Sequence, residues 1–261
     1  MRIDLLLSMT ATLVLMAGAL TGFRQPLPRD ARFWALVGAG VVGTGAAAAA
    51  SLATVGFSMA SALWLTSATV LAVFAALAWA RPISARLGTL LFPYVAVLGL
   101  IALAFVGAPG SAADTTTWGL AHAAIALIAN ALVTVAAVAA LAVVIQERAL
   151  KARRRSALAG VLPGAAESEG VQGVLLGIAA AALALGVATG TAVQIEETGR
   201  AIVLNHKTVL TVAALMLIAG LSIADFRSGL GGRKLARGIL VGWLVLTLGF
   251  LGVIFVKQII F

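Results

Sequence analysis

The chain has 261 residues, 62% of them hydrophobic and only 10% charged, with a mean hydropathy of +1.12. Ordinary soluble domains are about 45–50% apolar and about 25% charged, so a water-soluble fold is excluded, and with it a sizeable soluble catalytic domain. The formal charge of +9 reads first as a membrane-topology signal rather than as a sign of nucleic-acid binding, and the absence of cysteine removes disulfides, thiolate metal sites and iron–sulfur clusters.

A membrane-crossing helix needs about 20 apolar residues, which leaves room for roughly eight helices and short loops. The first apolar run is 3–22. Arg2 is offset by Asp4, and Phe23-Arg24-Gln25-Pro26 is a poor cleavage site, so a retained helix is expected rather than a signal peptide. A basic loop punctuated by proline follows. The second and third runs, 33–55 and 59–80, are separated only by Gly56-Phe57-Ser58 and form a tight hairpin. The fourth, 87–107, contains Pro93, which kinks a helix unless neighbours satisfy the freed carbonyl. After the polar turn at 107–118, the fifth run, 119–146, flows into Glu-Arg-Ala-Leu-Lys-Ala-Arg-Arg-Arg. The remaining spans are 170–193, 208–224 and 238–256, all within one integral domain covering 1–261. The expected fold is all-α, a polytopic transmembrane bundle of about eight helices.

The loops after the first, third, fifth and seventh spans carry three, two, five and four basic residues, 14 in all, against 4 on the other side. Basic residues favour the cytoplasm, so both termini are expected outside. The basic stretch at 147–155 also fits contact with anionic lipid headgroups. Most of Trp34, Trp64, Trp79, Trp118 and Trp243 sit near span ends, as an aromatic belt requires.

Inside the spans the polar inventory is small: hydroxyls, Asn130, and His122 near the entrance of the fifth helix. No Asp, Glu, Lys or Arg interrupts a span, which argues against an ion-coupled transporter. His122 and His206 both fall at the outer ends of helices. Imidazole is the usual protein ligand to haem iron, so two histidines at one depth could clamp a haem axially. They also fit interfacial histidines that only solvate helix starts, with Asn205 as an N-cap beside His206. The pairs Gly173/Gly177, Gly186/Gly190 and Gly238/Gly242 permit close helix approach, within the bundle or in a dimer. The run Gly229-Leu230-Gly231-Gly232-Arg233-Lys234 lacks Walker spacing and reads as a cytoplasmic turn.

Trp118-Gly119-Leu120-Ala121-His122 and the helix it opens, ending in Gln146-Glu147-Arg148, resemble the signature helix of the cytochrome c assembly superfamily. The segment from Leu63 through Arg81 and Arg86 to Phe92-Pro93 resembles the small YpjD/HemX-like branch of that superfamily. His206-Lys207-Thr208 and the glycine-rich loop before the last helix resemble it as well. The likeness covers roughly 57–158 and 204–261. It implies a bacterial inner-membrane accessory protein that binds or relays haem at the outer face during cytochrome c biogenesis, alongside other maturation proteins. His122 and His206 are the implied iron ligands, with Arg200 and Lys207 near the propionates. The stretch 194–205 contains no tryptophan, and no histidine follows the last helix. These departures argue against haem synthase activity, and no enzymatic role is expected. A cofactor-free structural or partner-binding subunit is the alternative; a small-molecule transporter ranks below it.

Overall fold

In the computed structural model the described residues are 3–24, 29–111, 116–153, 156–200 and 206–252. They form nine α-helices in the order α1 (Ile3–Arg24), α2 (Ala31–Val55), α3 (Met59–Ala80), α4 (Gly88–Ala104), α5 (Thr117–Lys151), α6 (Ala157–Val161), α7 (Ala165–Thr198), α8 (His206–Ser228) and α9 (Gly232–Thr247). A 3-10 turn, Pro82–Leu87, leads into α4, and a π-helical turn, Leu248–Gly252, follows α9. Among the described residues the sole strand-like pairing is one antiparallel bridge between Phe57 and Ser111.

Seven of these segments are long and apolar enough to cross a membrane: Ile3–Gly22, Ala31–Val55, Met59–Ala80, Pro82–Ala104, Thr117–Lys151, Ala165–Glu196 and Thr208–Ser228. The chain is therefore a helical, multi-pass membrane protein. The expected eighth span is 238–256; its described part falls in α9, which opens with Arg233, Lys234 and Arg237 and has 16 residues, and in the π-helical turn after it. The rest of that span, 253–256, lies outside the described residues.

The chain around α6 and α7 differs from the sequence reading for local reasons. The small-polar stretch after α5 contains the one-turn α6, started by Ser156, whose hydroxyl accepts from the Ala159 amide at 3.1 Å. Helix α7 begins at Ala165, because Glu167 reaches back to accept the Gly164 amide at 2.9 Å and satisfies an orphan donor of the first turn. It runs on to Thr198 and stops where Gly199 turns left-handed, with φ of +67°. Helix α4 continues through Pro93 without a break.

Helix α5 is the axis of the bundle. Its middle, Ala129 to Val144, is almost wholly buried, and the run of Ala and Val there lets neighbours approach closely. Helices α7, α9 and α3 pack around it; α1 joins α4 and α2, and α8 closes the bundle against α7 and α9. Lipid tails are as apolar as leucine, so this packing rests on shape rather than on the hydrophobic effect.

The glycine pairs show how. A Cβ on Gly238 or Gly242 would meet Leu221 at 2.7 Å or Ile218 at 2.6 Å, and one on Gly173 would meet Asp225 at 3.0 Å. These glycines therefore serve contacts within the chain, where they seat α8 against α9 and α7. Trp64, expected in an aromatic belt, is fully buried, with its ring tip 3.3 Å from the Cβ position of Gly99. The missing side chain on α4 makes room for the indole. Trp79 and Trp118 are exposed as a belt requires. Arg29 stands 5.4 Å from the ring centres of both Trp34 and Trp79 and pins the α1–α2 loop to the end of α3.

Candidate functional site

His122 lies one turn and a half into α5. The helix is started by Thr116, whose hydroxyl accepts from the Gly119 amide at 3.1 Å. The His122 imidazole turns toward α7, where Nδ1 sits 3.1 Å from the Gly186 carbonyl and 3.4 Å from Thr189 Oγ1. A carbonyl only accepts, so Nδ1 carries the proton in the neutral ring and Nε2 carries the lone pair. The Thr189 hydroxyl donates to the Leu185 carbonyl at 2.9 Å, leaving its lone pairs toward Nδ1. Metal-binding imidazoles are commonly held in this way, with the second nitrogen tied to a backbone carbonyl.

The ring lies directly on Gly190. A Cβ there would come within 2.9 Å of His122 Cε1 and 3.2 Å of Nδ1. The Gly186/Gly190 spacing, which in the sequence reads only as a packing device, thus forms the seat of the histidine.

Beside this seat is a cavity of about 520 Å³, within the range of about 300–1,000 Å³ usual for ligand sites. It is lined from α3, α5, α7, α8, α9 and the π-helical turn, chiefly by Leu65, Leu127, Leu183, Leu246 and Phe250. No charged residue lines it among the described residues. His122 stands at one level and Asn130 eight residues along the same helix.

The rim is closed by paired backbone. Phe57 and Ser111 exchange N–H···O bonds of 2.9 and 3.0 Å, and the Gly110 amide donates to Val55 at 3.1 Å. Gly110 allows this, since a Cβ would lie 2.5 Å from the Val55 carbonyl. At the turn itself Gly56 takes φ of +79°. The tight Gly56-Phe57-Ser58 connection hints at the hairpin, but nothing in the sequence marks its pairing with the 107–111 loop.

Of the other candidate residues, Arg200 is exposed beyond the end of α7 and does not line the cavity. His206 and Lys207 open α8, but their side chains lie outside the described residues, and so does the expected cap Asn205. The start of α8 does sit beside the C-terminal end of α7: Gln194 donates to Thr208 Oγ1 at 3.4 Å, one turn beyond the histidine seat. The structure thus brings the backbone of His206 to the same end of the bundle as His122. Among the described residues no group of three or more His, Asp or Glu forms a metal cluster.

Sequence reasoning misses Asp4, which is buried at the start of α1 and lines a separate hollow with Thr54 and Pro109. Its position at a span end conceals this, since burial there depends on the 107–110 loop folding over it.

No known family profile matches the chain, and no solved structure does. It is 40% identical over 239 residues to a protein of Azospirillum brasilense described as an uncharacterized 28.8 kDa protein in the nifR3-like 5′ region, covering 89% of this chain and 87% of that one. At that identity and over nearly the full length of both, the chain belongs to the same family as the Azospirillum brasilense protein.

Proposed function

We propose that the chain is an accessory protein of cytochrome c biogenesis in a bacterial inner membrane, and that it binds haem as cargo at its outer end. In this reading eight helices cross the membrane with both termini outside, as the 14-to-4 segregation of basic residues supports. The likeness of the His122 helix to the cytochrome c assembly superfamily supplies the process. One observation carries the binding site: His122 lines an apolar cavity of about 520 Å³ with its Nδ1 tied to the Gly186 carbonyl.

The residues present fit the group. Haem needs an imidazole of fixed tautomer, an apolar envelope, and a route for two charged propionates to stay near water. The histidine seat meets the first need and the leucine lining the second. The uncharged lining leaves the propionates to the outer rim, where Arg200 and Lys207 are the cations in sequence reach. Bound haem would supply its iron to His122, and His206 is the second candidate ligand. No covalent step belongs to this chain, because attachment to a cytochrome uses the apocytochrome's cysteines. On the cytoplasmic side the basic loops, with Arg29 held between Trp34 and Trp79, suit contact with anionic headgroups and with other maturation proteins.

The test is a reduced-minus-oxidised spectrum of the purified chain in detergent, with and without added haem. A Soret band is the expected result. A featureless spectrum after haem addition contradicts the reading, and a stoichiometric partner in that colourless preparation supports the cofactor-free subunit instead.

A further inference from the structure

A second hollow, of about 610 Å³, lies between the start of α1, the end of α2 and the loop after α4. Pro109 and Gly110 line both this hollow and the histidine cavity, so they form the wall between them. The one charged group in its lining is Asp4, which is 3% exposed. One Asp4 oxygen accepts the Leu5 amide at 2.9 Å. The other bonds to no described residue and is not among the polar atoms sealed from solvent, so it opens on the hollow. A buried carboxylate is costly unless a cation pairs with it. The N-terminus of α1 offsets part of the charge, but no Lys, Arg or His lines the hollow among the described residues.

The lining defines the cation that fits. The Thr54 hydroxyl donates to the Ala50 carbonyl at 2.9 Å, so what it offers a ligand is a lone pair. The Gly110 amide is spent on the Val55 carbonyl at 3.1 Å. The polar side chains of the wall thus only accept, around a single negative charge. Calcium takes about six to eight oxygen ligands, carboxylates among them, and no three acidic or histidine side chains gather among the described residues. A primary ammonium brings one positive charge and three donors. A trimethylammonium brings the same charge and no donor.

The neighbouring surface indicates what carries that group. Ile3 lines the hollow and is 73% exposed. It heads a stripe of exposed apolar residues three or four apart along α1, through Leu6, Met9, Leu13, Met16 and Leu20. In a membrane-spanning helix such a face lies against acyl chains. A lipid chain that follows this stripe brings its headgroup to Asp4.

We propose that the Asp4 hollow is a binding site for a primary ammonium group, carried by an aminophospholipid of the adjoining leaflet or by a small free amine. The site stands apart from the haem reading and does not depend on it.

The experiment titrates the purified, delipidated full chain in detergent with phosphatidylethanolamine, with phosphatidylcholine of the same acyl chains, and with free ethanolamine. Native mass spectrometry counts the adducts. The wild type is expected to bind phosphatidylethanolamine about tenfold more tightly than phosphatidylcholine, the scale of one charge-assisted hydrogen bond. Asp4→Asn is expected to lose the preference. Thr54→Lys, at an exposed position, supplies the hollow with an ammonium of the chain's own and is expected to do the same, which keeps the comparison if the Asp4 variant does not fold. Displacement of the lipid by ethanolamine assigns the site to small amines, and ethanolamine without effect assigns it to the lipid; the ammonium site holds in both. Equal affinity for the two lipids in the wild type, or a preference that survives in the variants, overturns the inference.

Discussion

The imidazole of His122 rests on the backbone of Gly190, 2.9 Å from where a Cβ would stand, while its Nδ1 meets the Gly186 carbonyl one turn away. Two glycines on α7 thus set both the depth and the rotation of the one histidine that lines the cavity among the described residues. The two positions are not equivalent. A Cβ on Gly186 would find Ile125 at an ordinary 3.8 Å.

The first prediction follows from that difference. Gly190→Ala displaces the ring and is expected to weaken haem binding about tenfold or more, a shift of roughly 1.4 kcal/mol. Gly186→Ala is expected to leave affinity within about twofold and to favour the helix by up to about 1 kcal/mol, the usual gain of Ala over Gly. Soret titrations of the two variants, beside their thermal unfolding in detergent, make the comparison. Equal behaviour of the two would show that the ring does not depend on Gly190 for its place.

Packing elsewhere in the bundle gives a second pair. A Cβ on Gly18 would stand 2.5 Å from the fully buried Phe92 ring, whereas one on Gly38 meets nothing within 4 Å. Overpacking a tight interior costs about 1–3 kcal/mol, so Gly18→Ala should lower the unfolding temperature by several degrees. Gly38→Ala should hold or raise it. Detergent thermal unfolding by circular dichroism reads both.

The third prediction concerns orientation. The chain has no cysteine, so single substitutions can be labelled without background. Thr198 and Ser228 are the last residues of the successive helices α7 and α8, at opposite ends of the pair. Thr198→Cys should react with a membrane-impermeant maleimide in intact cells, and Ser228→Cys only after lysis. The reverse pattern would invert the proposed topology.

A fourth concerns the rim. Gly110→Ala forces its new methyl against the Val55 and Phe57 carbonyls, at 2.5 and 2.8 Å, and both are backbone atoms that cannot swing away. The Phe57–Ser111 bridge should open, with faster amide exchange at these two residues and little change at Ala136 in the middle of α5. Hydrogen exchange with mass spectrometry measures it; unchanged exchange at Phe57 and Ser111 would show that the bridge does not depend on Gly110.

Much of the architecture is legible in the sequence. Spans of this hydropathy have few alternatives, and the continuation of α5 through Glu147 and Arg148 follows from an unbroken run of good helix formers. The features that are not legible depend on approach between distant segments. Gly190 reads as a small residue but not as the floor beneath His122, because the register of α7 on α5 is a tertiary fact. Trp64 carries the same signature as a belt tryptophan; only the gap at Gly99, 35 positions on, makes it a core residue. Asn130 is visible as a polar residue in a span, yet its unpaired Oδ1 and the cavity beside it come from how six elements pack around it.

Whether His122 holds haem is decided most directly by a Soret titration of wild type against His122→Ala, with Gly186→Ala as the folded control. A band is predicted for wild type and control that the His122 variant loses or shows only at more than about tenfold higher haem concentration. An identical band and affinity in His122→Ala would contradict the assignment of His122 as the iron ligand.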